Sequence, residues 1–511
     1  MTTVAWLGAN HSASMLRAKR LLPLAAAVAL CISTGGRAAT ITVDDASTNA
    51  GGPSGNCNII DAVTAINTQA AVKGCVRGDG INDTIDLTGF TAPTTIAFKL
   101  VATGFSHALA LNKDVTIIGT LDSGGLPYVT LERDLSPFTP NFGLIETTAA
   151  LTIYGLTLSN GSIQTGTLGG GAIQAGSSLI VNNSVIISNF SSTAGGGIAA
   201  SNSVTLNHST VSGNTAANAG GGIYSTSPTS IVRIDFSTIS GNLTTSASGL
   251  GGGGIYSSGS VVVGNSTISN NISATDGGGI NTSNSVTLSA STLSGNTAQA
   301  GAGGAVFAIN AINSNSSVGA TASTINGNSA FTDGGGINAN DASLTNSTIT
   351  GNTANGSGGG GVHSSTVSLN YCTVFANTSQ FGNGGGVDFA ASGTATGTIL
   401  FGNMPRDVNS AIALAGSFDI IANSTSGVPV GTLICNPMLG TLGNYGGFTM
   451  TLPLMNGSCA LDAASATPSV ITDQRGYARP AVGESRFKAD IGAFERQAFE
   501  DPDLIFANGF E

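Results

Sequence analysis

The chain is expected to be all-β, wound as a single-stranded parallel β-helix with three short strands and about 25 residues per coil, and three observations predict this. A glycine mark recurs nine times, at Gly170-Gly171-Ala172-Ile173, Gly195-Gly196-Gly197-Ile198, Gly220 to Ile223, Gly252 to Ile255, Gly277 to Ile280, Gly303-Gly304-Ala305-Val306, Gly334 to Ile337, Gly359 to Val362 and Gly384 to Val387. Its intervals of 25, 25, 32, 25, 26, 31, 25 and 25 residues give a base period with two insertions, the signature of a solenoid. A second mark follows in each period, as in Ser209 to Asn214, Ser237 to Asn242, Ser266 to Asn271, Ser291 to Asn296, Ser323 to Asn328 and Ser347 to Asn352. Between the marks lie short alternating runs such as Ser203-Val204-Thr205-Leu206, and no segment of the repeat carries the 3.6-residue apolar stripe that a helical repeat needs.

Each element of the coil has a physical reason. Strands that pair with their counterparts one coil away, about 4.8 Å off, stack Val211, Ile239, Ile268, Leu293, Ile325 and Ile349 into an interior row. Asn214, Asn242, Asn271, Asn296, Asn328, Asn352 and Asn377 are expected to form a turn ladder, because Asn tolerates left-handed backbone and its amide bonds along a stack. The glycines allow a tight corner. One coil cannot offset the entropy of ordering its own residues, so stability comes from stacking and the open ends need caps.

Composition agrees. Of 511 residues 74 are Gly and only 8% are charged, against roughly 25% in an ordinary soluble domain. The acids fall in three zones: eleven from Asp44 to Glu146, five from Asp235 to Asp388, and eleven from Asp407 onward. The charged ends suit capping. A net charge of −11 argues against nucleic acid or anionic lipid as partner.

These zones divide the chain into a signal peptide over 1–39 with its start at Met15, a capping region with the first coils over 40–150, repeats over 151–403, a C-terminal region over 404–497 and a tail over 498–511. The signal reading rests on the basic start Arg17-Ala18-Lys19-Arg20, the apolar run Leu21 to Ile32 and the small-residue end Gly36-Arg37-Ala38-Ala39. Five cysteines remain after cleavage. In an oxidising compartment Cys57 pairs with Cys75 and Cys435 with Cys459, while Cys372 stands in the slot that holds Ser in other repeats and is expected to be a buried thiol.

The sequence also resembles known families. Ile41-Thr42-Val43 through Cys57-Asn58-Ile59-Ile60-Asp61-Ala62-Val63 is similar to the CSLREA segment that precedes β-helix repeats in secreted bacterial proteins. The repeats resemble those of chlamydial polymorphic outer membrane proteins, with Phe375-Ala376-Asn377 and Phe401-Gly402-Asn403 nearest their second motif. Asn436-Pro437-Met438-Leu439-Gly440, Gly457 to Asp462, Asp473-Gln474-Arg475-Gly476 and Asp490 to Glu495 resemble the choice-of-anchor Q domain. The resemblance implies a right-handed helix, and an exported protein that is extracellular or associated with the outer membrane of a Gram-negative bacterium. It implies no particular chemistry.

Candidate functional groups are few. The residue after each glycine mark runs Ala199, Tyr224, Tyr256, Asn281, Phe307, Asn338, His363, Asp388, so Tyr224, Tyr256, Phe307 and His363 make a broken stripe, read either as stacking that stabilises the coil surface or as ligand or receptor contact. A second row, Thr210, Thr238, Thr267, Thr292, Thr324, Thr348 and Thr373, resembles the flat face of ice-binding solenoids, although strand propensity alone explains it. Asp276 and Asp333 precede glycine marks two coils apart, too far for one Ca²⁺, and a turn role is expected for each. His208 and His363 are read as surface residues without partner carboxylates. No catalytic residue, metal or cofactor is assigned. The expected role is non-catalytic adhesion or contact with a surface glycan or a host or neighbour-cell protein. The alternative is a polysaccharide lyase or hydrolase, which requires Asp388 or Asp407 to converge with Asp333 and a basic residue.

Overall fold

The computed structural model describes residues 38–48, 55–100, 104–164, 168–310, 316–382, 384–481, 488–497 and 500. The expected signal up to residue 37 and the tail from residue 501 lie outside the described residues. What is described is a parallel β-solenoid with sheets of 23, 13 and 9 strands. One coil of the repeat shows the plan: Ile198–Ala200 and Val204–Asn207 in the first sheet, Thr210–Ser212 in the second, and Thr215–Ala216 in the third. The first side thus takes two short strands, which fuse into one further on, at Ile337–Thr345 and Val362–Asn370. Every pairing in these three sheets is parallel and joins residues one coil apart, as Val211 with Ile239 and Ile239 with Ile268.

Three rows hold the stack. The aliphatic row from Val211 to Ile349 is fully buried and continues through Val374 and Leu400. The asparagine row runs from Asn189 to Asn403, each Nδ2 donating to the next Oδ1 at 2.9–3.0 Å and each backbone N–H donating to that same oxygen. The left-handed backbone expected at these asparagines belongs instead to the residue before them, as at Gly213 (φ 61°), Gly241 (φ 62°) and Gly295 (φ 64°). The asparagine is thereby free to turn its amide inward, where it is inaccessible to water. The third row is hydroxyl: Ser184 N–H donates to Ser209 Oγ, Ser209 to Ser237, and so on to Ser347.

The glycine corner needs its residue type twice over. Gly220 has φ 57°, and a Cβ on Gly221 would stand 2.4 Å from Gly253 O and 2.6 Å from Leu243 N. The third glycine is less demanding, since Ala172 and Ala305 replace it in two coils.

The N-terminal end is closed by a helix, Ile59–Thr68, which the repeat pattern did not predict. Asn58 caps it, accepting from Asp61 N–H and donating Nδ2 to Asp61 Oδ2, and Ile59, Ala62, Val63 and Ile66 face the core. At the other end the stack continues through Arg406–Asn409, Ala415–Ser417 and Ile420–Ile421. Residues 435–481 and 488–497 then return along the outside of the second sheet, a course no repeat motif signals. Both expected disulfides are present, and Cys372 is a buried free thiol. No described helix is long and apolar enough to cross a membrane.

Candidate ligand-contact stripe

The predicted stripe is a row in strict register. Ala199 pairs with Tyr224, Tyr224 with Tyr256, Tyr256 with Asn281, Asn281 with Phe307, Phe307 with Asn338, Asn338 with His363 and His363 with Asp388. It extends backward through Gln174 and Glu146 and forward to Asn409. Alternation along each strand points these side chains outward while Ile223, Ile255 and Val362 on either side point in. They are outward yet sheltered, for Asn281 is 6%, Asn338 4% and Asp388 8% exposed. The loops preceding the glycine marks lean over the row, and one of them takes a hydrogen bond from Asn281 Nδ2 at Leu250 O, 2.6 Å.

Tyr224 and Tyr256 stack with centroids 5.4 Å apart and planes 28° from parallel. They spend a ring face on each other, so the pair offers its outer edges and hydroxyls more than a broad platform. Burial, and secondarily the neighbouring Tyr256, push the Tyr224 phenol above the ordinary tyrosine value, so it stays a neutral donor. Phe307 stands between two asparagines.

The reading of His363 as a histidine without a carboxylate partner is overturned. Its Nδ1 bonds Asp388 Oδ2 at 2.7 Å; Asp388 Oδ1 accepts from Asn409 Nδ2 at 2.6 Å, and Asn409 Oδ1 accepts from the Thr425 hydroxyl at 3.0 Å. Asp333 borders the same space, since a Cβ on Gly358 would meet Asp333 Oδ1 at 2.7 Å and His363 Nδ1 at 2.8 Å. Burial lowers the imidazole's pKa, but the hydrogen bond to Asp388 and the charges of Asp388 and Asp333 outweigh it, so His363 titrates above the usual 6.5. Sequence separation alone carried the signal: His363 and Asp388 are one period apart in the same row. Asp333 and Asp276 do perform the expected turn role, accepting from Gly358 N–H and Ala302 N–H one coil on.

A second histidine–carboxylate pair lies at the other end of the row but is closed to ligands. His107 is fully buried, with Nε2 on Gly170 O at 3.0 Å, while both Ser106 Oγ and Glu146 Oε2 share Nδ1. A catalytic triad needs its serine and its acid on opposite nitrogens.

The threonine row is partly taken up by the chain itself. Thr324 Oγ1 donates to Met450 O at 2.6 Å, Thr348 Oγ1 to Gln474 Oε1 at 2.6 Å, and Thr373 Oγ1 accepts from Ala493 N–H at 3.0 Å. These three threonines are buried, which interrupts the flat face that ice binding would use. Gln474, Arg475 and Arg479 build this dock. Gln474 Nε2 reaches Thr324, Thr449 and Met450 O, and Arg475 lies 3.6 Å over the Phe494 ring with Nε on Asp473. Arg479 sits over Tyr371 at 4.3 Å and donates to Asp490 O and Gly492 O. Beside the dock an open apolar hollow of about 530 Å³ is lined chiefly by Phe375, Phe401, Met438 and Met455. Among the described residues no three His, Cys, Asp or Glu side chains group as metal ligands.

No family model matches the chain, and no curated protein matches it. Among solved structures it is similar to the crystal structure of pectate lyase Pel9A, at 13% identity over 90% of this chain and 98% of that one, with a TM-score of 0.38.

Proposed function

We propose that this chain is an exported β-helix protein of the cell surface or extracellular space, whose outward row contacts a glycan. The observation that supports it most is the unbroken register of the row from Ala199 to Asp388, which repeats phenol, amide and imidazole groups at the strand spacing of about 4.8 Å. An extended polymer of hydroxyl-bearing units lying along the axis meets the accessible phenols of Tyr224 and Tyr256, the ring of Phe307 and the imidazole of His363 in register. Two disulfides near the ends suit an oxidising compartment. The test is a glycan array followed by binding isotherms on the hits. Tyr224→Ala with Tyr256→Ala should weaken binding about tenfold, and Thr238→Ala on the second sheet should leave it unchanged. Binding indifferent to the tyrosines would remove the row from the account.

The second reading, cleavage of the bound chain, is favoured by His363 held by Asp388 with Asp333 beside it, the convergence of carboxylates and a base that such chemistry requires. Release of new reducing ends or unsaturated products from an array hit, abolished by His363→Ala, is the outcome that would establish it.

A further inference from the structure

The apolar hollow beside the dock lies at the last coils of the second sheet. Phe375 and Phe401 pair on successive coils, Leu400 pairs with Ile421 on the next, and Leu433 lies beside Ile420 on the one after that. Met438 and Met455 line the hollow as well, adjoining each other where Met455 N–H donates to Met438 O. Both reach solvent, for Met455 is 50% and Met438 44% exposed. Ile434, two residues from the Asn436 that lines the hollow, is 79% exposed, and Val430 on the same last rung is 100% exposed. An open hollow and projecting apolar side chains thus adjoin, which is the mark of an interaction surface rather than of singly scattered hydrophobics.

We propose that this face pairs with the same face of a second copy of the chain, Ile434 of each copy entering the hollow of the other. Charge and shape select that occupant. No residue from Ile420 to Leu461 is charged, on a chain whose net charge is −11, so two copies that repel one another elsewhere meet here without opposed like charges. The cation next to the hollow, Arg496, is tied to Asn456 Oδ1 at 2.6 Å. A knob beside a hole is self-complementary under a two-fold rotation, whereas a bilayer would meet the projecting side chains and leave the hollow unfilled. Pro429, in the same rung as Val430 and Ile434, lacks the N–H that strand addition would use, so the contact is made through side chains. Head-to-tail stacking is closed off because the helix Ile59–Thr68 covers the opposite end, and pairing therefore stops at two copies. The inference stands apart from the glycan reading, since the stripe belongs to the first sheet and the hollow to the second.

The experiment is sedimentation velocity on the full chain from about 1 to about 100 µM, over which monomer should give way to dimer. Ile434→Asp and Met455→Asp each set a carboxylate on the apolar face and should weaken pairing by at least about thirtyfold. Phe138→Asp, at a site 97% exposed in the first coils, should leave it unchanged. Thermal melts check that each variant is folded, and if one of the two is not, the other carries the test. A chain still monomeric at about 100 µM overturns the proposal, and so does a dimer that neither variant weakens. Flotation of the monomer with phosphatidylcholine vesicles, lost in Ile434→Asp, would assign the face to a lipid surface and overturn it too.

Discussion

Each amide in the asparagine row gives one N–H to the next asparagine's Oδ1 and the other back to a carbonyl of the preceding coil, so the side-chain row needs an end that accepts without having to give. Asp407 supplies it: Oδ1 takes both Asn403 N–H and Nδ2, and Oδ2 takes Ala422 and Asn423 N–H. The hydroxyl row ends in the same way, as Cys372 N–H donates to Thr398 Oγ1 and Thr398 N–H donates to Asp419 Oδ1. The swap of amide for acid should therefore hurt in both settings. Asn296→Asp sets a carboxylate against Asn328 Oδ1, and Asp407→Asn sets an NH₂ against backbone donors; each is expected to cost about 1–3 kcal/mol by denaturant melts. Burial pushes the Asp419 carboxyl up to about 7, while its Oδ2 has no partner. A folded-state value raised above the unfolded one means the native chain holds the proton longer. That contribution is whole below about pH 4 and is lost as pH climbs through 7. Asp490 and Glu495, raised by burial to about 7 and about 8, act in the same direction. Melting temperature should fall between pH 5 and pH 8, and Asp419→Asn should flatten part of that fall; a melting temperature that rises over this range would refute the assignment.

At the scale of elements, the aperiodic C-terminal segment is secured mainly by side chains rather than by strand pairing. Gln474 joins two coils of the second sheet to the hairpin bridges at Gly443–Thr451 and Leu439–Leu454. Gln474→Ala should cost about 1–3 kcal/mol and raise hydrogen exchange over residues 437–480 while leaving the asparagine row protected. If exchange instead rises evenly along the solenoid, the segment is part of one cooperative unit with it. The N-terminal helix was open to reading from local chemistry: an Asn at 58, an acid at 61 and apolar residues at 59, 62, 63 and 66 make a capped amphipathic turn. The strand period of the repeats, far longer and stronger, masks this short local signal. The dock of residues 435–497 had no such signal, since residues that recognise a surface once carry no repeat.

For the whole molecule, translation symmetry has a direct consequence. Deleting residues 196–220 joins Gly195 to Gly221 and removes one coil without disturbing any row, because the glycine, asparagine and aliphatic marks all shift together. The shortened chain should remain a β-solenoid by circular dichroism and melt in one transition, since each coil contacts only its neighbours. Loss of folding would mean that the ends, not the neighbours, govern stability. The same symmetry makes the stripe and the His363–Asp388 pair legible in the sequence: two residues one period apart in one row must adjoin.

Periodicity dictated the coil, the interior rows and the outward stripe, because residues repeated at a constant interval are brought into identical surroundings by a simple stack, while the two disulfide pairs followed from closeness in sequence within the charged ends. Three things waited on the assembled fold: which backbone position takes the left-handed turn, that acids close the two hydrogen-bonded rows, and that the chain's own end covers three rungs of the threonine face. The turn position is a local backbone choice repeated in successive coils, whereas the row ends and the threonine cover depend on contacts formed once, where geometry rather than repetition selects the partner.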